Sequence, residues 1–201
     1  MRHLIVLLTA LALVAGCGSS SRKVGKGGKL ETPKLPPVKP EALKEFDAGM
    51  RALRLGGPDA RAKAEPRLRA AAKLDKNLWE AWLNLGVVYF ENGEDGQAVD
   101  AFSKALDVNP AATEARLGRA EAARRDGDDD LARKDYRVLI RERPTVRLHY
   151  ARLASLLRSK KKYEAGLDVL REALRQAGAD TQIYVELALI YMRQGRDELA
   201  E

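Results

Sequence analysis

The chain has 201 residues, of which 45% are hydrophobic and only 5% aromatic, and it carries a formal net charge of +7. This length and apolar content are sufficient for one sizeable domain with a hydrophobic core. The abundance of Ala, Leu and Arg favours helices, because straight-chain side chains lose little rotamer freedom in a helix. The composition therefore predicts a folded, all-α protein.

The positive charge is concentrated near the amino terminus. Residues 18–40 contain six basic and one acidic side chain, whereas from residue 41 onward 29 basic side chains are balanced by 28 acidic ones. A nucleic-acid-binding domain needs a basic face on its folded part. The charge distribution therefore predicts no nucleic-acid partner.

The first sixteen residues have the pattern of a secretory signal peptide. A basic start, Met1-Arg2-His3, precedes an apolar run over residues 4–14, which ends in the small residues Ala15 and Gly16. As a helix this run would be about 16 Å long, roughly half the hydrocarbon thickness of a bilayer. The pattern predicts a cleaved signal over residues 1–16 rather than a permanent transmembrane helix.

Cys17 is the only cysteine of the chain. The segment Leu13-Val14-Ala15-Gly16-Cys17 resembles the lipobox of bacterial lipoproteins, and the resemblance implies cleavage before Cys17 and acylation of its thiol. Two or more acyl chains hold a protein firmly on a membrane. Gly18, by the same resemblance, implies sorting to the outer membrane with the domain facing the periplasm. The alternative is an incidental thiol beside an ordinary signal.

A tether follows Cys17. Residues 18–40 contain four Gly, four Pro and three Ser, and almost nothing that can build a core. This composition predicts an unstructured tether over residues 17–40, which separates the acylated Cys17 from a folded domain at residues 41–201. Its basic side chains would either contact anionic lipid or wall polymer, or merely keep the tether soluble and extended.

A repeated pattern begins at residue 79. Residues 79–112 resemble a tetratricopeptide repeat in the order and spacing of Trp82, Leu85, Gly86, Tyr89, Gly93, Ala98, Phe102, Ala105 and Pro110. The same register continues in weaker copies at residues 113–146, 147–180 and, incomplete, 181–201, and a degenerate copy precedes it at about 45–78. The resemblance implies a solenoid in which each repeat is an antiparallel helix pair that packs on its neighbours.

The repeats need small side chains where the two helices of a pair cross. We expect Gly86, Ala120, Ala154 and Ala188 to face Ala98, Ala132, Gly166 and Ala200 at these crossings. Gly93 and Gly127 should end their helices in the left-handed conformation. Because most of the last helix is missing from the sequence, Ile183, Leu187, Ile190 and Tyr191 should lack cover, which indicates a fragment of a longer chain or a partner on this face.

The sequence has no recognisable constellation for catalysis. The only histidines are His3, in the predicted signal, and His149, which we expect at the surface or in the groove rather than as a ligand. Nucleophilic catalysis and metal binding require several such groups together. The acidic run Asp128-Asp129-Asp130 lies at a predicted turn, where aspartate caps a helix. The sequence therefore predicts a protein that is not an enzyme, with no cofactor and no metal.

The family resemblance implies a partner-binding groove lined by the first helix of each repeat. Carried over to this chain, the candidate partner-binding residues are Leu83, Val87, Phe90, Glu121, Arg124, Arg125 and Arg158. Members that clamp a carboxyl terminus place Lys and Asn where Leu83 and Val87 stand, so that mode is not expected. The set fits an amphipathic helix or extended segment with acidic flanks. The alternative is that Leu83 and Val87 only pack between repeats.

Outer-membrane lipoproteins with such repeats resemble pilotins, gliding-motility components and factors for outer-membrane protein insertion. The resemblance implies a non-enzymatic scaffold that binds proteins and assists assembly of a motility, pilus or secretion complex. The alternative is an accessory or binding protein for cell-wall enzymes, in which the basic tether recognises wall or membrane.

Overall fold

The computed structural model describes residues 37–57 and 59–195, so the predicted signal peptide, Cys17 and most of the tether lie outside the described residues. Their regular structure is helical throughout: α1 Pro40–Leu55, α2 Ala60–Leu74, α3 Trp79–Asn92, α4 Asp95–Val108, α5 Thr113–Asp126, α6 Asp129–Glu142, α7 Arg147–Ser159, α8 Tyr163–Gln176 and α9 Thr181–Gln194. None of these helices combines the length and the apolar character needed to span a membrane. The predicted all-α fold is confirmed.

The predicted 34-residue register is also confirmed. The first helices of the four repeats, α3, α5, α7 and α9, begin at residues 79, 113, 147 and 181. The second helices α4, α6 and α8 begin at residues 95, 129 and 163. Each of the first three of these repeats is therefore a helix pair, and we call the first helix of a repeat its A helix and the second its B helix.

The backbone conformation at the end of each A helix also recurs. Gly93, Gly127 and Gly195 all have positive φ, at +82°, +92° and +74°. The equivalent residue in the third repeat is Lys161, whose φ of +57° makes it the one non-glycine residue with positive φ among those described. The left-handed turn is thus set by the repeat, and Lys161 adopts it despite the steric cost of its side chain.

The first helix pair departs from the predicted register. Helix α1 begins at Pro40, one residue inside the predicted tether, and four residues separate it from α2, where the later repeats have two or three. Gly49 lies at the close approach of this pair, three residues before Ala52, which stands 34 residues before Gly86. A Cβ on Gly49 would stand 2.9 Å from Leu68 Cγ.

The backbone that precedes α1 is fixed to the domain. The Lys39 N–H donates to the carboxylate of buried Asp75 at 2.9 Å, and the Asn77 N–H donates to the same carboxylate at 2.9 Å. These two donors hold the pKa of Asp75 below its usual range. Val38 also packs against the apolar cluster between α1, α2 and α3. Val38 and Lys39, which the sequence placed in the tether, are therefore part of the folded domain.

The chain divides into two compact units, one up to Gly118 and one from Arg119, so that α5 contributes to both. In the first unit the ring of Phe102 lies between Gly86 and Gly118. A Cβ on either glycine would come within 2.7 Å or 2.5 Å of that ring. Gly86 thus faces Phe102, a larger neighbour than the predicted Ala98.

The second unit has its own core. Tyr136, Tyr150, Leu153 and Leu170 are fully buried there. A Cβ on Gly166 would lie 2.9 Å from Ile190 Cδ1 and 3.7 Å from the carbonyl oxygen of Ala154. The predicted crossing of Ala154 with Gly166 is therefore confirmed.

A recurring hydrogen bond explains how the second repeat tolerates Arg116 in place of a tryptophan. Trp82 Nε1 donates to the carbonyl of Lys76 at 3.3 Å, and the hydroxyl of Tyr150 donates to the carbonyl of Pro144 at 3.0 Å. The Arg116 guanidinium donates in the same way to the carbonyl of Pro110. Each donor lies at the same repeat position and bonds the residue six places before it, so Arg116 supplies the same hydrogen bond as Trp82 and Tyr150.

Candidate protein-binding face

The predicted partner-binding residues of the first unit all lie on α3. Leu83 is only 9% exposed, whereas Val87 and Phe90 are half-buried. Glu80, one turn before Leu83, is half-buried too, and burial raises the pKa of its carboxyl. Val87 and Phe90 therefore present apolar surface, while Leu83 serves mainly as core, in keeping with the packing alternative.

In the second unit a polar cluster joins α5, α6 and α7 around Glu121. Its carboxylate accepts from the Tyr136 hydroxyl at 2.8 Å, from Arg124 at 3.2 Å and from Arg152 at 3.2 Å. Desolvation and the neighbouring carboxylate raise the pKa of Tyr136. Glu121 is thus occupied as an acceptor, and the arginines around it exceed its single negative charge.

A second ion pair joins the next two A helices. Arg158 on α7 donates to Glu186 on α9 at 3.0 Å and to the Ser155 hydroxyl at 3.3 Å. Arg152, Ser155 and Arg158 are three residues apart, so they share one side of α7. The predicted residues Glu121, Arg124 and Arg158 therefore belong to one continuous surface, which we call the A-helix face of the second unit.

Helix α9 contributes exposed apolar surface. Tyr184, Val185 and Met192 are 59%, 49% and 58% exposed. By contrast, the prediction that Ile183 and Ile190 lack cover is wrong, because both are fully buried. Helix α9 packs on both α7 and α8, and the Ile190 side chain lies against Gly166 of α8.

The remaining sequence expectations concern His149 and the acidic turn. The prediction of a surface His149 is wrong: it is 3% exposed, and its Nδ1 has no hydrogen-bond partner. This position of the repeat faces the core, whatever the polarity of the side chain that occupies it. Asp128 caps α6 as predicted, since its side chain accepts from the Leu131 N–H at 3.0 Å. Among the described residues no group of His, Cys, Asp and Glu is arranged to hold a metal ion.

The described residues thus define a repeat protein of stacked helix pairs, with polar and apolar side chains displayed on its A helices. One tetratricopeptide repeat profile matches residues 79–111, and a second matches residues 96–146 and 151–201. Together these matches extend over more than half of the sequence. The chain belongs to the tetratricopeptide repeat family, whose members are scaffolds for protein–protein interaction.

Solved structures share this fold. The MamA 41-end protein from Desulfovibrio magneticus superposes with a TM-score of 0.72 at 19% identity, covering 82% of this chain and 91% of that one. A tetratricopeptide repeat protein from Parabacteroides merdae superposes with a TM-score of 0.71 at 16% identity, covering 80% of this chain and 62% of that one. At these identities the likeness concerns the fold alone.

One curated relative is a human enzyme. The protein O-mannosyl-transferase TMTC3 of Homo sapiens is 27% identical over 139 residues, which represent 67% of this chain. The chain spans only 15% of the length of that relative. The similarity therefore concerns a part of the human protein and carries no activity to this chain.

Proposed function

We propose that this protein is a lipid-anchored envelope scaffold that holds another protein on the A helices of its repeats. The observation that carries the proposal is the A-helix face of the second unit, where Arg124, Arg152 and Arg158 lie on adjacent A helices. Exposed Val185 and Met192 on α9 add apolar area. Interfaces of this composition, with arginine beside apolar anchors, bind proteins.

The anchor in this proposal is Cys17. Acylation there would hold the protein on the outer membrane with its repeats in the periplasm, and the tether would let them reach a partner. Held in this way, the scaffold would assist assembly of a motility, pilus or secretion complex. It has no catalytic role in this proposal, because the repeats present surfaces for contact and not a reaction centre.

The experiment compares the natural chain with Cys17→Ala and with a deletion of residues 22–36 in cells. The deletion stops before Val38 and Lys39 because these two residues are part of the folded domain. We expect Cys17→Ala to leave the outer-membrane fraction and to lose incorporation of a clickable palmitate analogue. The deletion variant should stay membrane-bound and co-purify with the same protein partner.

Two results would overturn the proposal. Unchanged membrane fractionation and no labelling of the natural chain would rule out the lipid anchor. Loss of cell-wall association on deletion of residues 22–36, with no protein partner in any sample, would instead support the tether-based accessory role.

A further inference from the structure

The two kinds of helix in the second unit differ in charge. Its A-helix segments, residues 119–126, 147–159 and 181–194, carry seven basic and three acidic side chains. Its B helices, residues 129–142 and 163–176, carry six basic and seven acidic ones. The excess positive charge of these helices thus lies on the A helices, although the folded part as a whole is nearly neutral.

The middle A helix shows the imbalance most clearly. Helix α7 contains Arg147, Arg152 and Arg158 and no acidic residue. The carboxylates that meet Arg152 and Arg158 come from the neighbouring A helices, through Glu121 on α5 and Glu186 on α9. The ion pairs therefore hold Arg124, Arg152 and Arg158 in one row across α5 and α7, and Glu186 joins this row to α9.

The two carboxylates do not neutralise this row. Glu121 already accepts from a tyrosine hydroxyl and from two arginines. Arg124, Arg125 and Arg193 are exposed at the ends of their helices. A ligand with carboxylates would therefore meet a positive potential along the row.

Apolar surface lies beside the charge. Val185, Leu189 and Met192 follow one another at intervals of four and three residues, so they share one side of α9. Val185 and Met192 are each about half exposed, and Leu189 is half-buried. Arg193 lies four residues after Leu189, so it borders this side of α9. The surface therefore combines an apolar strip with a basic border.

We propose that the A-helix face of the second unit binds an acidic amphipathic segment of a partner protein. The apolar side of that segment would lie on Val185, Leu189 and Met192, and its carboxylates would meet Arg124, Arg158 and Arg193. This inference rests on the proposed scaffold function and names the chemistry of the partner. A basic or uncharged segment would gain nothing from the arginine row and would be disfavoured.

The experiment selects binders from a random library of sixteen-residue peptides displayed on phage, with the purified full chain as bait. The tightest peptide is then titrated by fluorescence polarisation against two double variants of equal charge change. Arg124→Gln/Arg193→Gln alters the proposed face, whereas Arg137→Gln/Arg175→Gln removes two exposed arginines from the B helices. Thermal melts followed by circular dichroism establish that both variants fold as the natural chain does.

We expect the selected peptides to be acidic, with apolar residues three or four places apart. Loss of Arg124 and Arg193 should weaken binding about tenfold, whereas the B-helix control should change it less than about twofold. Met192→Glu should weaken the same peptide, and added salt should lower its affinity for the natural chain.

Selection of basic or neutral peptides, equal losses in the two double variants, or selection of no peptide above background would each overturn the inference. The scaffold proposal fails separately, if no protein is held by the lipid-anchored chain in cells. If the captured protein binds through a neutral or basic segment, the scaffold proposal still holds. Only the inference that the partner segment is acidic is then refuted.

Discussion

The guanidinium of Arg119 and the carboxylate of Asp135 form a two-point ion pair between α5 and α6, with nitrogen–oxygen distances of 2.7 and 2.8 Å. Asp135 is 1% exposed. The same two positions in the flanking repeats are occupied by buried apolar residues, Leu85 with Ala101 and Leu153 with Val169. The second repeat has therefore replaced an apolar pair by a charged one.

This relationship predicts opposite outcomes for single and double replacement. Arg119→Leu should cost about 3–5 kcal/mol of unfolding free energy, because it leaves a buried carboxylate without its main partner. Arg119→Leu/Asp135→Ala restores the apolar pair of the flanking repeats and should recover most or all of that loss. Urea unfolding followed by circular dichroism measures both. A double variant as unstable as the single one would show that the two residues act independently.

The ring of Phe102 leaves no space for a side chain at position 118. Because a Cβ on Gly118 would lie 2.5 Å from that ring, Gly118→Ala should destabilise the protein by roughly 1–3 kcal/mol through overpacking. Phe102→Leu in the same chain should return part of the loss by making room. Gly96→Ala, at an exposed glycine of α4, is the control and should cause no loss. A Gly118→Ala variant as stable as the natural chain would contradict this packing.

At Lys161, in contrast, we expect a substitution to stabilise the protein. It holds the left-handed turn that Gly93, Gly127 and Gly195 hold in the other repeats. Lys161→Gly should therefore raise the unfolding free energy by about 1 kcal/mol, since glycine adopts positive φ without steric cost. Its neighbour Lys160 has φ of −95°, so Lys160→Gly should give no gain. Thermal melts compare the two variants. Equal effects from both would mean that Lys161 is not strained.

His149 should make stability depend on pH. Burial lowers the pKa of its imidazole below the ordinary 6.5, with Arg143 adding to the effect and a hydrogen bond to the Leu139 backbone opposing it. Between the lowered folded value and 6.5 the unfolded chain binds the proton and the folded one does not. The unfolding free energy should therefore fall as pH is lowered through about 6.5.

His149→Gln removes the titrating group and should flatten this slope between about pH 5 and 7. The only other histidine, His3, lies in the predicted signal, so the change in slope can be assigned to His149. Urea titrations at several pH values give the slope for both chains. Identical slopes would show that His149 does not contribute.

The repeat register could be predicted from the sequence because its determinants are local. Aromatic, small and glycine residues recur at 34-residue intervals from Trp82, Gly86 and Gly93, with Arg116 and Lys161 as the exceptions, and the helices begin where that spacing places them. Gly49 escaped prediction because the longer connection between α1 and α2 shifts the crossing along the helix. Spacing alone does not show such a shift.

The polar contacts could not be predicted for a different reason. Arg119 stands out in the sequence as a departure from the apolar pattern, but its partner Asp135 becomes recognisable only when α5 and α6 are paired. Likewise, His149 is polar by type and buried by position. For the candidate face, the sequence indicated Glu121, Arg124 and Arg158. It did not indicate Arg152 or Glu186, because these depend on contacts between helices distant in sequence.

The central claim is that the A helices are the surface that holds a partner. The most direct measurement places a photocrosslinking amino acid at Phe90, Arg124 or Met192 of the full chain in its native cell, with Arg137 on α6 as the control position. Mass spectrometry then identifies the captured protein and the crosslinked peptide. The account predicts one recurrent envelope protein from the A-helix positions and none from Arg137. Capture of the same protein from Arg137, or from the tether alone, would contradict it.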